Sequence, residues 1–232
     1  YARTQPSLEG VSGPITLASG DAITLGANVG GAGSGPITIN TNTNGAGADS
    51  FTMAAGGAIT TTNATGSAVV VNVNAAAGGT GGAALRSITT GSGGTITVAT
   101  DTGGNTTGGS ITQTAATLLN VGTGTVNLTT PATGVSGIGT ALAPILTTAA
   151  TITAAAGMGG VFVTETDGAA FTATATGAGA IALTSTTGTL TVAGPTSTGN
   201  GAITLASGDA ITLNANVGGA GSGTVTVNTN TN

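Results

Sequence analysis

Few side chains in this sequence could act as acids or bases. The 232 residues include seven Asp or Glu, two Lys or Arg and no His. General acid–base catalysis needs titratable groups placed together, and two carboxylates across a sugar linkage are the machinery of glycoside hydrolysis. Glu165 and Asp167 are two residues apart and would share one face of a strand. With no basic partner and no aromatic sugar platform beside them, we interpret the pair as an acidic surface or turn and expect no catalysis.

Metal and phosphate sites are equally poorly supported. Asp21 and Asp209 each follow Ser-Gly, but calcium-binding β-rolls need dense Gly-Gly-x-Gly-x-Asp repeats, and the Gly-Gly-Ala-Gly at 30–33 and 218–221 carries no Asp. The glycine-rich stretches lack the Lys-Ser/Thr of a phosphate loop. The chain has no Cys, which excludes thiolate metal ligands. We expect no metal or cofactor, and turns closed by their own Asp side chains.

Composition narrows the class of protein further. Only 4% of residues are charged, against about 25% in an ordinary soluble domain. Mean hydropathy is +0.40, whereas disordered chains combine low hydrophobicity with high net charge. No basic patch could hold nucleic acid, and no apolar run is long enough for a transmembrane helix. The sequence therefore predicts a folded chain without nucleic-acid partners or membrane insertion.

Short strands are the elements that would position any site. Triplets that read apolar, small or polar, apolar recur along the chain, and this alternation puts both aliphatic residues on one face. Their β-branched residues suit strands, and helix formers are scarce. The triplets lie at 15–17, 23–25, 37–39, 96–98, 126–128, 181–183, 190–192, 203–205, 211–213 and 225–227.

The spacing of these triplets favours a parallel β-helix over a β-sandwich, which needs no fixed register. Each coil would take about 22 residues and stack about 4.8 Å from the next. The chain would then form roughly ten coils, in a rod on the order of 50 Å long. The intervals that carry this prediction are Ile15 to Ile37, Ile37 to Ile59, Ile181 to Ile203 and Ile203 to Val225, each of 22 residues, and Ile88 to Ile111, of 23.

This fold predicts two kinds of ladder between coils. Inward aliphatic side chains would form a core ladder of Ile15, Leu17, Ile23, Leu25, Ile37, Ile39, Ile203, Leu205, Ile211, Leu213, Val225 and Val227. Asparagine side chains would form a polar ladder of Asn40, Asn42, Asn44, Asn228, Asn230 and Asn232. The apolar run containing Leu142, Pro144, Ile145 and Leu146 is either a bulged coil packed into the core or a lateral contact between rods.

One segment occurs twice. Residues 13–44 match residues 201–232 at an offset of 188 (201 − 13), and only five of the 32 positions differ. Isolated solenoids need caps because an open edge pairs with other chains, and we identify no cap in the sequence. The duplication fits either a slice of a longer array or copies stacked head to tail into a fibre. Residues 1–12 would be an extension that serves as a strap onto a neighbouring subunit.

The repeated phrase carries a family resemblance. The phrase ITLASGDAITL, with GAIALTSTTGTLTVAG at 179–194 and GGTITVAT at 93–100, resembles repeats of filamentous-haemagglutinin-like and giant β-strand-repeat bacterial surface exoproteins. The resemblance covers most of residues 13–232. It implies a right-handed parallel β-helix, secretion to the cell surface, and an adhesive or structural role.

We therefore expect a structural extracellular protein, a fibre subunit or adhesin stalk that contacts copies of itself. The alternative is an ice-binding solenoid with threonine ladders; a polysaccharide-binding or polysaccharide-cleaving β-helix is third. The Thr-x-Thr motifs at 95–97, 172–176 and 224–226 do not recur at one phase of a 22-residue register, which counts against ice binding.

Overall fold

The computed structural model describes residues 3–4, 8–102, 106–194 and 196–231, and these form an all-β fold without a helix. Every pairing between its strands is parallel, in one solenoid-like sheet. The strands are β1 (Arg3–Thr4), β2 (Leu8–Glu9), β3 (Ile15–Ala18), β4 (Ile23–Leu25), β5 (Val29–Gly30), β6 (Ile37–Asn40), β7 (Phe51–Met53), β8 (Ile59–Thr60), β9 (Val69–Asn72), β10 (Ala83–Leu85), β11 (Ile88–Thr89), β12 (Thr95–Ala99), β13 (Ile111–Gln113), β14 (Leu119–Thr129), β15 (Gly137–Ile138), β16 (Ile145–Ala156), β17 (Gly160–Glu165), β18 (Ala169–Ala175), β19 (Ile181–Ser185), β20 (Leu190–Val192), β21 (Thr196–Ser197), β22 (Ile203–Ser207), β23 (Ile211–Leu213), β24 (Val217–Gly218) and β25 (Val225–Thr229).

The strands stack in three columns along the N-terminal half. The first column runs through β1, β4, β7, β10, β13 and β15. The second runs through β2, β5, β8, β11 and the start of β14, and the third through β3, β6, β9, β12 and the end of β14. Each turn of the chain therefore contributes three short strands.

The first two columns merge at β17. This strand pairs through Val161 with Ile138 of β15 and through Val163 with Ile145 of β16. The turns after it take fewer residues than the turn between β6 and β9. Ile37 pairs with Val69 after 32 residues (69 − 37), whereas Val163 pairs with Leu183 after 20 (183 − 163).

The predicted 22-residue coil therefore holds for only part of the chain. Ile15 pairs with Ile37, and Ile203 pairs with both Ile181 and Val225. The interval from Ile37 to Ile59 is wrong as a coil, because Ile59 belongs to the second column, between β5 and β11. The interval from Ile88 to Ile111 is wrong for the same reason, since Ile111 pairs with Ala83 in the first column.

Alternation along the strands builds one continuous core. In β6, β9 and β18 inward residues are buried and outward residues are partly exposed. Phe51 and Phe171 are the largest fully buried side chains, and aliphatic residues fill the rest of the interior. Burying one aliphatic side chain stabilises a fold by about 1.5–3 kcal/mol. This core of stacked side chains is therefore the main source of the protein's stability.

The described residues of the N-terminal extension do not form a strap. Arg3–Thr4 pairs in parallel with Ile23 and Thr24, and Leu8–Glu9 pairs with Val29 and Gly30. These residues are the first strands of the solenoid itself. The remaining positions of that prediction, 1–2 and 5–7, lie outside the described residues.

The predicted lateral contact divides into two parts. Leu142 is 99% exposed at the tip of a tight turn, which an antiparallel bridge between Thr140 and Ala143 closes. Ile145 is fully buried, and so it is wrong as a lateral contact, because β16 begins there and turns this side chain into the core against Val163. Pro144 and Leu146 are half-buried at the start of the strand.

Candidate assembly surface

The C-terminal coil ends the solenoid with open strand edges. The strands β23, β24 and β25 pair on one side with β20, β21 and β22. Within the described part of the chain, no strand pairs with their other side. An open edge presents a row of unpaired N–H and C=O groups, which is a template for a further strand.

Three apolar side chains of the predicted core ladder lie on this open coil. Leu213 is 53% exposed, Val225 47% and Val227 45%. Their burial was predicted, and the prediction is wrong for the chain taken alone because no strand among the described residues stacks on them. Seven of the other ladder residues are buried and two are half-buried: Ile15, Ile23, Leu25, Ile37, Ile39, Ile203 and Leu205, and then Leu17 and Ile211.

The duplicated segment supplies an internal comparison for these three residues. At the offset of 188, Leu213, Val225 and Val227 correspond to Leu25, Ile37 and Ile39. Those equivalents are 1%, 1% and 0% exposed. Apolar residues at equivalent positions are thus buried where a coil covers them and about half exposed where no described strand does.

Backbone geometry is also shared between the two copies. The N–H of Asn42 donates to the Asp21 carbonyl at 3.4 Å, and the N–H of Asn230 donates to the Asp209 carbonyl at 3.1 Å. Both asparagines adopt left-handed backbone, with φ of 52° and 57°. At this corner the C-terminal copy therefore already holds the conformation of its covered counterpart, whereas φ is 147° at Gly218 and 96° at the equivalent Gly30.

Asparagine contacts between coils occur at the N-terminal copy. Asn72 donates through Nδ2 to Oδ1 of Asn40 at 2.9 Å, and Asn42 donates in the same way to Asn74 at 3.0 Å. The polar ladder therefore has partners, Asn72 and Asn74, that the sequence analysis missed. The signal was the similarity of VVVNVN at 69–74 to ITINTN at 37–42.

The other predicted members of the polar ladder behave differently. Asn44 is exposed and accepts from the N–H of Ala46 within its own turn. This local contact replaces the predicted one between coils. Asn228 and Asn230 are exposed on the open coil, and Asn232 lies outside the described residues.

The acidic pair does not share a face. Glu165 is fully buried at the end of β17, whereas Asp167 lies exposed in the following turn. The Glu165 carboxylate accepts from the N–H groups of Asp167 at 2.9 Å, Gly168, and Ala149 at 3.4 Å. Burial, with the nearby Asp167 carboxyl adding to it, raises the pKa of Glu165 to about 7, although the Gly168 and Ala149 N–H groups act in the opposite direction. The carboxyl closes a turn.

The two aspartates of the repeated segment also serve turns. The N–H of Asp21 donates to Oγ of Ser19, and the N–H of Asp209 donates to Oγ of Ser207. The Asp209 carboxylate accepts from the N–H of Gly188 at 3.0 Å. No group of three or more potential metal-ligating side chains occurs among the residues that the structure describes.

Threonines form a regular array on the outer face of the third column. Thr95, Thr125 and Thr151 are paired in register across β12, β14 and β16. A second row passes through Thr97, Asn127, Thr153 and Thr172. Coil lengths differ, yet the strands stay paired, so these side chains repeat about every 4.8 Å along the axis. The absence of a 22-residue phase in the Thr-x-Thr motifs therefore does not prevent threonine rows on this face.

The described residues include no helix that could cross a membrane. Comparison of the chain with models of protein families, with curated proteins and with solved structures gives no match.

Proposed function

We propose that this chain is a structural extracellular protein, a subunit or segment of an adhesin stalk or fibre in which β-solenoids continue end to end, and that it does no catalysis. One observation carries the proposal. The apolar side chains Leu213, Val225 and Val227 are about half exposed on an open coil, although the same coil is covered within the chain.

The finer features of the fold belong to this proposal. We expect the strands to wind as a right-handed parallel β-helix of roughly ten coils without caps at its ends. The contact partner is the chain itself, head to tail along the axis, and lateral contacts between rods would use the protruding Leu142. The resemblance of the repeats to bacterial surface exoproteins supports a location outside the cell.

Sedimentation velocity over a range of micromolar concentrations tests end-to-end association. Val225→Asp with Val227→Asp places two carboxylates where the next coil would stack. We expect association to weaken by more than about tenfold, since burying unpaired carboxylates costs well over 1.4 kcal/mol.

Thr226→Asp is the matched control. It adds charge to the same strand on the outward face, where the equivalent residue is Thr38, and should leave association nearly unchanged. Because Val225 and Val227 are already 47% and 45% exposed, the double variant should still fold. Unaltered association of the double variant would contradict the proposal.

Ice binding is a second candidate, favoured by the threonine array. The strands β12, β14, β16 and β18 contain no charged residue, and their outward threonines form rows in register. Residues two apart on a strand repeat about every 6.6 Å, and neighbouring strands about every 4.8 Å, so methyl and hydroxyl groups form a two-dimensional array that Asn127 and Ala170 interrupt.

Thermal hysteresis measures this candidate directly. Thr153→Tyr would break the flat array and should abolish the activity, whereas Thr184→Tyr on the outer face of β19 should leave it intact. Absence of hysteresis in the unchanged chain removes the candidate. A polysaccharide-cleaving function has no comparable support, because Glu165 is buried and Asp167 is exposed.

A further inference from the structure

We propose that the open C-terminal coil is a docking site for a coil of the same type as residues 45–77, supplied by another repeat of this sequence. The inference rests on the proposed end-to-end function and gives its partner a defined sequence. The covered copy of the same segment is the template for this docking. There, β7, β8 and β9 lie directly on β4, β5 and β6.

Apolar side chains match position by position in this template. Apolar residues of the N-terminal copy meet apolar residues of the covering coil: Ile23 pairs with Phe51, Leu25 with Met53, Val29 with Ile59, Ile37 with Val69 and Ile39 with Val71. The offset of 188 transfers these positions to Ile211, Leu213, Val217, Val225 and Val227. A coil of the same type would therefore cover all three exposed apolar side chains.

Three backbone donors of the covered copy have acceptors in the next coil. The N–H of Val29 donates to the Ala58 carbonyl at 2.9 Å, that of Ile37 to Ala68 at 3.0 Å, and that of Thr41 to Asn72 at 3.0 Å. The equivalent donors are those of Val217, Val225 and Thr229. They lie at the open edge and would gain the same three hydrogen bonds.

The asparagine at the coil corner distinguishes between two possible covering coils. Asn42 is fully buried and donates to Asn74 of the covering coil, and its equivalent Asn230 holds the same left-handed backbone while exposed. A covering coil of this type brings an asparagine to that corner. The N-terminal coil of a second copy would bring Gly20 there, by the register that pairs Ala18 with Asn40, and a glycine offers no side-chain acceptor.

Gly218 also fits this occupant. At the equivalent Gly30, a β-carbon would collide with the Thr60 carbonyl oxygen of the covering strand, so the close approach depends on glycine. At Gly218 the same space is empty.

In a second copy residues 45–77 are already covered on both sides, by β4–β6 and β10–β12, so they cannot dock. A second copy therefore offers only its N-terminal coil, whose Gly20 leaves the asparagine corner unmatched, and the better-matched occupant is a coil of a further repeat.

Extending the full chain tests this occupant. Asn232 is the sequence equivalent of Asn44, so a copy of residues 45–77 added after it continues the 188-residue offset without a break. Amide hydrogen exchange followed by NMR, at a dilution where the chain is dispersed, reports on Val217, Val225 and Thr229. We expect their exchange to slow at least about tenfold relative to the unextended chain. The Ile203 amide, already bonded to the Thr224 carbonyl, is the internal reference.

Two extensions of equal length serve as controls. One carries Val69→Asp and Val71→Asp in the added copy, and it should give no protection. The other adds residues 3–35, the coil that a second copy would offer, and it should protect less. Protection by residues 3–35 that equals or exceeds that of 45–77 would overturn the inference, as would none from 45–77. The sedimentation experiment judges the proposed function separately.

Discussion

Burial sets the behaviour of the Glu165 carboxyl. Three backbone N–H groups hold it in place, yet it lies fully inside the solenoid. Its pKa is raised to about 7 by this burial, so the folded chain keeps a proton that the unfolded chain releases near pH 4.5. The contribution of this proton to stability is therefore complete below about pH 4.5 and is lost as the pH rises through 7.

Glu165→Gln should remove this dependence on pH. We expect the variant to be more stable than the unchanged chain at pH 8, by on the order of 2 kcal/mol, and nearly equal to it at pH 4. Thermal unfolding at a series of pH values measures the difference. If the unchanged chain became more stable between pH 4.5 and 7, and the variant showed the same dependence on pH, the raised pKa of Glu165 would be contradicted.

Asparagine at the coil corner makes a second prediction at this scale. Asn74 is fully buried and accepts from Asn42, while its Nδ2 donates to the carbonyls of Gly81 and Thr100. Asn74→Ala should cost about 1–3 kcal/mol, because buried partners lose their hydrogen bonds. Asn44→Ala, in an exposed turn, should cost less than about 1 kcal/mol. Chemical denaturation gives both values, and equal losses would refute the difference.

At the scale of elements, the strand that begins at Ile145 separates two residues that the sequence places together. Ile145 enters the core, and Leu142 stands at the tip of the preceding turn. Ile145→Ala should cost about 2–4 kcal/mol through the cavity that it leaves. Leu142→Ala should change the free energy of unfolding by less than about 0.5 kcal/mol. Similar effects of the two substitutions would contradict this division.

Alternation identified which residues face inward, but not which strands pair. The triplets at 37–39 and 203–205 are strands with buried aliphatic residues, as expected. Their partners depend on the number of residues in the turns, which the alternation does not encode. Ile59 illustrates this, since it follows Ile37 by one predicted period but lies in another column. The Asn motif at 69–74 marks the true partner of β6.

For the whole molecule, the duplicated segment explains why the two ends resemble each other. Its copies share the left-handed asparagine and the backbone hydrogen bond of that corner, and they differ in whether another coil covers them. The candidate surface could be foreseen in part, because the repeat was visible in the sequence. The exposure of Leu213, Val225 and Val227 could not, because it depends on what stacks above them and not on their own strand pattern.

Negative-stain electron microscopy of the purified chain at micromolar concentration and neutral pH tests the central claim most directly. The account predicts long, thin filaments one rod wide, with an axial repeat of about 50 Å, the length of one solenoid. The Val225→Asp, Val227→Asp variant on the same grid conditions should give separate short rods. Separate short rods from the unchanged chain would contradict end-to-end stacking.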